Sequence, residues 1–164
     1  MNPLARQAIE IRLNSPIQEI RGVSGGDINE AHCVQCADGR QLFIKTNPRA
    51  PQTMFEREAK GLEWLAGKHG LRVPKVICHS EPHEPAYLIL EWIAPTRRVA
   101  TFDETLGIGL AKLHLDTPNN FGWHTSNFIG HLHQGNKTES TWAQFYRQQR
   151  LLPQIEMATA KNKL

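Results

Sequence analysis

The 164 residues contain no apolar run near the roughly 18 that a membrane-spanning helix needs, and residues 1–10, which carry Arg6 and Glu10, have no apolar core of the secretory type. A cytoplasmic protein with no membrane partner is expected. Cysteine is scarce and odd in number: Cys33, Cys36 and Cys78 fit no disulfide framework, which agrees with a reducing compartment. Basic residues never gather into a block. The one adjacent arginine pair, Arg97-Arg98, follows a turn at Pro95 and reads as a solvated loop, so a net charge of +3 and a pI near 8.9 do not imply a nucleic-acid partner. With 21% charged and 40% hydrophobic residues, the chain has the balance of a globular protein and can form a core.

Within that ordinary composition, Glu58 stands out. Phe55, Glu58, Leu62 and Leu65 recur at helical spacing in residues 53–66, which places a carboxylate on a stripe otherwise suited to a core. A desolvated carboxylate without a partner costs several kcal/mol or more, so a cation is expected close by. Lys45 is the candidate, because alternation along Leu42-Phe43-Ile44-Lys45 puts it on the same strand face as Phe43. A lysine on a strand, a glutamate on the next helix and a glycine-rich turn at Gly22, Gly25 and Gly26 together suggest a kinase-type nucleotide site.

The element order supports that reading. Residues 3–12 predict a short leading helix, with Leu4, Ala8, Ile9 and Ile11 as its apolar positions. Residues 17–23, 29–35 and 41–46 predict three strands, the last two joined by a tight turn at Ala37-Asp38-Gly39-Arg40. The helix carrying Glu58 follows a proline-marked loop, and residues 73–79 and 86–93 predict two more strands. Beyond Pro95 the pattern changes. Thr101-Phe102-Asp103-Glu104 reads as a capping box opening a helix with the stripe Phe102, Leu106, Leu110 and Leu113. A loop over residues 119–136 leads to a final helix from about residue 140, with Trp142, Phe145, Tyr146, Gln149 and Leu152 on one stripe and a kink at Pro153. The expected fold class is α+β, with a five-stranded antiparallel small lobe over residues 1–93 and an incomplete helical lobe over residues 94–164.

These stretches resemble the fructosamine kinase (ketosamine kinase) family, a branch of the protein-kinase-like fold related to the aminoglycoside phosphotransferases. The resemblance rests on Gly25-Gly26-Asp27-Ile28-Asn29-Glu30-Ala31, Phe43-Ile44-Lys45, Phe55-Glu56-Arg57-Glu58-Ala59-Lys60-Gly61-Leu62, Val73-Pro74-Lys75-Val76 and Leu88-Ile89-Leu90-Glu91-Trp92-Ile93. It continues through Leu110-Ala111-Lys112-Leu113-His114, Phe121-Gly122-Trp123, Asn127-Phe128-Ile129-Gly130, Gln134-Gly135-Asn136 and residues 142–152. It implies that the Gly25-Gly26 turn covers the phosphates of ATP and that Lys45, held by Glu58, contacts the α and β phosphates. It also implies that backbone groups of Glu91, Trp92 and Ile93 meet the adenine edge. Trp123 and Trp142 would belong to the acceptor side, and the acceptor would be a hydroxyl of a ketoamine adduct on a small molecule or a glycated protein.

The departures from the family are as informative. Its catalytic loop of the His-Gly-Asp type and the aspartate that holds Mg²⁺ are not found. The one His-x-Asp, His114-Leu115-Asp116, has Phe121 where a kinase loop needs asparagine, Asn120 comes one position early, and His114 reads as a helix-end residue. No catalytic residue and no metal ligand is therefore assigned. The chain reads as the N-terminal portion of such a kinase, expected to be inactive alone. Asp27 stands where several relatives carry cysteine.

Other readings are weaker. Cys33-Val34-Gln35-Cys36 with Cys78, His79 and His83 suggests zinc, but an i to i+3 pair on a strand points to opposite faces. His131 and His133 share an alternation that a polar loop explains as well. Trp64, Trp92, Trp123 and Trp142 could be read as a sugar-stacking set, but two or more of the four read first as core. Two functional alternatives stand beside the ketoamine kinase: a non-catalytic nucleotide-binding or oligomerising remnant, and an aminoglycoside-like phosphotransferase. Uncovered apolar faces on the last two helices are expected to promote a homodimer or strand exchange.

Overall fold

The computed structural model describes residues 1–24, 26, 28–68, 70–115 and 119–163. It divides into two compact units, Met1–His114 and Leu115–Leu164.

The first unit opens with α1 (Pro3–Leu13), whose start is set by Asn2: its side chain accepts the amides of Leu4 and Ala5 at 2.8 and 3.2 Å. Asn14, left-handed at φ 50°, ends it. The buried face is Ala5, Ile9 and Leu13; Leu4 and Ile11, expected on that face, are exposed. Mixed spacing left the choice of face open, and the fold selected the i, i+4, i+8 row.

Five antiparallel strands follow: β1 (Ile17–Gly22), β2 (Glu30–Cys36), β3 (Gln41–Thr46), β4 (Val76–His79) and β5 (Tyr87–Glu91). They lie in the order β1-β2-β3-β5-β4. β4 and β5 are shorter than the expected runs. Pro74 has no amide to give a sheet ladder, so β4 starts only at Val76, and pairing of β5 with β3 ends at Glu91 opposite Leu42. Alternation sends Val34, Cys36, Leu42, Ile44, Tyr87 and Ile89 to one face, where they pack with Ile9 and Leu13 of α1. Leu88 and Leu90 point to the other, where they meet Phe55 and Ala59 of α2 (Met54–Ala66), with Phe43 and Leu62 packed against them. The sheet therefore has a helix on each face.

Helix α3 (Phe102–Leu115) is largely exposed, and its expected stripe is incomplete: Phe102 and Leu110 are exposed and Gly109 is the residue it buries. A Cβ at Gly109 would lie 2.5 Å from Leu71 Cδ2 and 3.0 Å from the Gly70 carbonyl, so the close approach needs glycine.

In the second unit the segment read as a loop contains a hairpin, β6 (Asn127–Ile129) paired with β7 (Leu132–Gln134). The final helix begins at α4 (Trp142–Tyr146), capped by the Thr141 hydroxyl on the Gln144 amide. It passes through one π-helical stretch (Arg147–Leu151) and continues as α5 (Leu152–Ala160). Pro153 explains the wide turn: its ring clashes with the carbonyl four residues back, that of Gln149, and its missing amide leaves that carbonyl without the usual helical donor. Arg150 supplies one, with Nη1 at 2.8 Å from the Gln149 oxygen. The same guanidinium donates to the Gly135 carbonyl and to Asn136 Oδ1, both at 2.7 Å, and lies over the Phe145 ring. Buried Asn136 in turn donates to the Thr125 carbonyl and to Asn127 Oδ1. One arginine and one asparagine thus tie hairpin to helix.

Two stability measurements follow. Asn136→Ala leaves Arg150 and the Thr125 carbonyl short of partners and is expected to cost about 1–3 kcal/mol in urea unfolding followed by near-UV dichroism; a loss within error would show that the network carries no net stability. On β2, buried His32 has no hydrogen-bond partner for either ring nitrogen among the described residues. Burial first, then the Met1 ammonium, push its imidazole below the ordinary value against the pull of Glu30. The unfolded state therefore binds the proton better. Stability is complete above about pH 6.5 and declines as the pH falls through the depressed value, and His32→Leu is expected to flatten that decline. Equal unfolding midpoints for the native chain at about pH 7.5 and about pH 5 would contradict this.

Candidate functional site: a cleft beside the sheet and helix α2

The period of two in β3 that sends Leu42 and Ile44 into the α1-side core leaves Phe43 and Lys45 on the α2 side. Helical spacing in α2 lays Phe55, Ala59 and Leu62 against the sheet and sets Glu58 at the margin of that contact. Lys45 Nζ and Glu58 Oε1 are 2.6 Å apart. Their side chains keep 28% and 30% of their exposure, so the pair faces a cleft and is not locked in a dry core. A half-exposed ion pair contributes about 1 kcal/mol or less. Its value lies in placement: the ammonium is held over the cleft with donors left for another anion.

The cleft encloses about 540 Å³. Lys45 and Glu58 occupy one part of it. Val23, Phe43, Leu62 and Leu90 give it apolar walls, and Pro74, Trp92, Ile93 and Pro95 complete the lining. The Trp92 ring stacks against Phe43 with centroids 6.4 Å apart and planes 19° from parallel. A slot of this kind suits a flat apolar ring system whose edge is polar.

The chain immediately after β5 offers the polar groups for such an edge. Trp92 and Ile93 make no backbone hydrogen bond among the described residues. Glu91 differs: its amide donates to the Lys75 carbonyl at 2.8 Å, and its carboxylate accepts from Arg72 Nη2 at 2.5 Å and from the Lys75 amide at 3.2 Å. These donors, the Lys75 amide first and Arg72 next, hold its carboxyl below the usual carboxylate range. Of the three residues expected to meet a base edge, two therefore have uncommitted backbone groups and one is tied to the neighbouring strand.

The structure brings Lys45, Glu58, Glu91, Trp92 and Ile93 together in this lining. Gly25 lies outside the described residues, as do Asp27 and Asp116. Gly26 adopts φ +106°, a conformation open to glycine, in the turn that follows Val23. Trp123 and Trp142 belong to the second unit. There the Trp142 ring meets Phe121 edge-on at 6.0 Å and lies tilted against Phe145 and Tyr146, while Trp123 stands beside His124 at 4.6 Å. Arg72 was not legible as a site residue, since nothing in its local spacing marks it. Pro74 had a signal in the Val73-Pro74-Lys75-Val76 stretch.

The weighed alternatives fare differently. Cys36 lies in the α1-side core while Cys33 Sγ faces Arg21 on the other side of β2, and all three cysteines are free thiols. Burial pushes the Cys36 and Cys78 thiols up, away from the thiolate a metal needs. Among the described residues no three His, Cys, Asp or Glu side chains cluster as a metal site would require. His114 sits in the last turn of α3 and not in a loop.

The fructosamine kinase family model matches residues 1–164. A probable ketoamine kinase of Synechocystis is 40% identical over 144 residues, covering 87% of this chain and 48% of its own length. The chloroplastic protein-ribulosamine 3-kinase of Arabidopsis thaliana is 37% identical over 145 residues, covering 87% of this chain and 44% of its own. A crystal structure of a candidate fructosamine-3-kinase from Thermobifida fusca superposes with a TM-score of 0.80 at 29% identity, over 100% of this chain and 56% of that one. A second, from Haemophilus somnus, is alike in fold, with a TM-score of 0.80 at 23% identity. The chain spans about half the length of the curated relatives it matches. With five antiparallel strands, flanking helices and a match over its whole extent, the chain has the α+β protein-kinase-like fold and belongs to the fructosamine kinase family.

Proposed function

We propose that this chain is the nucleotide-binding portion of an ATP-dependent kinase that phosphorylates a sugar hydroxyl of a ketoamine adduct, carried by a small molecule or a glycated protein. The observation that carries the reading is the Lys45–Glu58 pair at 2.6 Å in a cleft whose lining also includes Trp92 and Ile93, with their uncommitted backbone groups. Lys45 supplies the cation for the α and β phosphates, Glu58 fixes its position, and the Gly25-Gly26 turn covers the phosphates with backbone amides. Glu91, Trp92 and Ile93 form the edge that meets adenine. Residues 1–93 are then the nucleotide lobe and residues 94–164 an incomplete helical lobe, with Trp123 and Trp142 on the acceptor side. A cytoplasmic setting suits three free thiols.

When bound, Mg²⁺ neutralises charge on the phosphates; no described residue is assigned to it, and neither is a catalytic carboxylate. With neither assigned to these residues, nucleotide binding without turnover is the outcome this reading expects. Calorimetric titration with ADP tests this. Lys45→Met is expected to lower affinity about ten- to hundredfold, and Glu58→Gln by less, with little change in melting temperature. A chain that binds no nucleotide would refute the assignment, and ketoamine phosphorylation by this chain alone would refute its inactivity.

The remnant reading has one observation in its favour. Ile129, Trp142, Leu151 and Ile155 in the second unit are 55%, 56%, 46% and 48% exposed, an apolar surface of the sort that recruits partners. Concentration-dependent self-association is expected in sedimentation velocity. A compact monomer across the whole concentration range would exclude it.

A further inference from the structure

Residue 91 is unusual among the cleft residues in having every group that is accounted for directed at the chain and none at a ligand. Its amide donates to the Lys75 carbonyl, one carboxylate oxygen takes the Lys75 amide, and the other takes Arg72 Nη2, at 2.8, 3.2 and 2.5 Å. Three bonds on one side chain and its own backbone therefore fasten residues 72–75 to the end of β5. That fastening matters because both partners line the cleft: Pro74 stands between Arg72 and Lys75, and Trp92 and Ile93 continue from Glu91. Among the described residues, regular pairing stops just short of them, at Val76 with Leu90. β4 does not begin until Val76, its pairing with β5 is irregular between Val76 and Cys78, and the pairing of β5 with β3 ends at Glu91.

We infer that Glu91, through Arg72 and the Lys75 amide, is a positioning residue that sets the width of the slot between Pro74 and Trp92-Ile93, and with it the fit of the nucleobase. The inference rests on the nucleotide reading of the cleft and adds a division of labour to it. Lys45 and Glu58 serve the phosphate end; the clamp serves the base end, and the Glu91 carboxylate is spent on the chain, not on the ligand. Loosening it therefore weakens ligands that have a base and spares those that have none. The ion pair alone is surface-exposed, with the Arg72 side chain 66% exposed, so its loss has a modest effect. Removing the whole carboxylate also strands the Lys75 amide and has a larger one.

Affinities of the full chain for ADP and for inorganic tripolyphosphate separate the cases. Arg72→Met is expected to weaken ADP about two- to fivefold and Glu91→Leu about three- to tenfold, with tripolyphosphate within about twofold of wild type in both. Glu91→Gln keeps one acceptor oxygen and turns a donor toward the other partner, so its loss of ADP affinity is expected to lie between wild type and Glu91→Leu. Unchanged ADP affinity in Arg72→Met and Glu91→Leu overturns the clamp while leaving the nucleotide site intact, and so does an equal loss for both ligands, which would mark general loosening. If Glu91→Leu does not fold, the exposed Arg72→Met decides. A wild-type chain that binds neither ligand overturns the nucleotide reading and the clamp together.

Discussion

The contact between Lys45 and Glu58 joins strand to helix by a directional, charged bond at the edge of an apolar contact. α2 meets the sheet through Phe55, Ala59 and Leu62 on one side of its axis, a close-packed apolar contact whose attraction has no direction of its own. The ion pair lies at the edge of that contact and requires one setting: strand residue 45 opposite helix residue 58, at 2.6 Å. Because the pair is partly wet, its stabilising energy is small, and hydrophobic burial on both faces of the sheet supplies the fold's cohesion. What the pair decides is geometry, and the cleft of about 540 Å³ takes its polar floor from it.

The two faces of the sheet have separate tasks. Toward α1, the packing is continuous and dry, with Ile9, Val34, Cys36, Ile44 and Ile89 at 0% exposure. Toward α2, packing stops short, and the residues left over, Phe43 and Leu90 among them, become walls. A strand with alternating side chains serves both, so stiffness on one face holds the other open. The second unit is stabilised differently. Its hairpin is short and its aromatic residues other than Phe145 are partly exposed, and the half-buried Arg150 with Asn136 takes up polar groups that Pro153 and the hairpin leave behind. Partial burial pulls the Arg150 guanidinium down from its ordinary range.

Sequence patterns were most legible where period and turn chemistry agreed. β3 came out at the expected bounds because an Asp-Gly turn precedes it and alternation runs through it without interruption. α2 was likewise clear from its apolar spacing, and Lys45 with Glu58 from the need of a carboxylate for a partner. Legibility failed where the deciding contact lies far away in sequence. The hairpin over residues 127–134 has only three residues per strand, too few for a period to show. Phe102 and Leu110 had the right spacing for burial, yet both stay exposed, Phe102 with the Arg98 guanidinium over its ring. The link from Arg72 to Glu91 spans 19 positions and leaves no local trace.

By itself, the sequence determined the elements of the first unit, the order of its strands along the chain, and the residue types that a phosphate-handling site requires, because these follow from local periodicity, turn residues and charge. Only the tertiary structure decided which row of α1 is buried, that Glu58 stands at a margin and not in a core, and that Glu91 spends its carboxylate on Arg72 and Lys75. The physical reason is the same in each case. Local pattern constrains where a side chain points along its own element, whereas exposure and hydrogen-bond partners depend on what other elements bring against it.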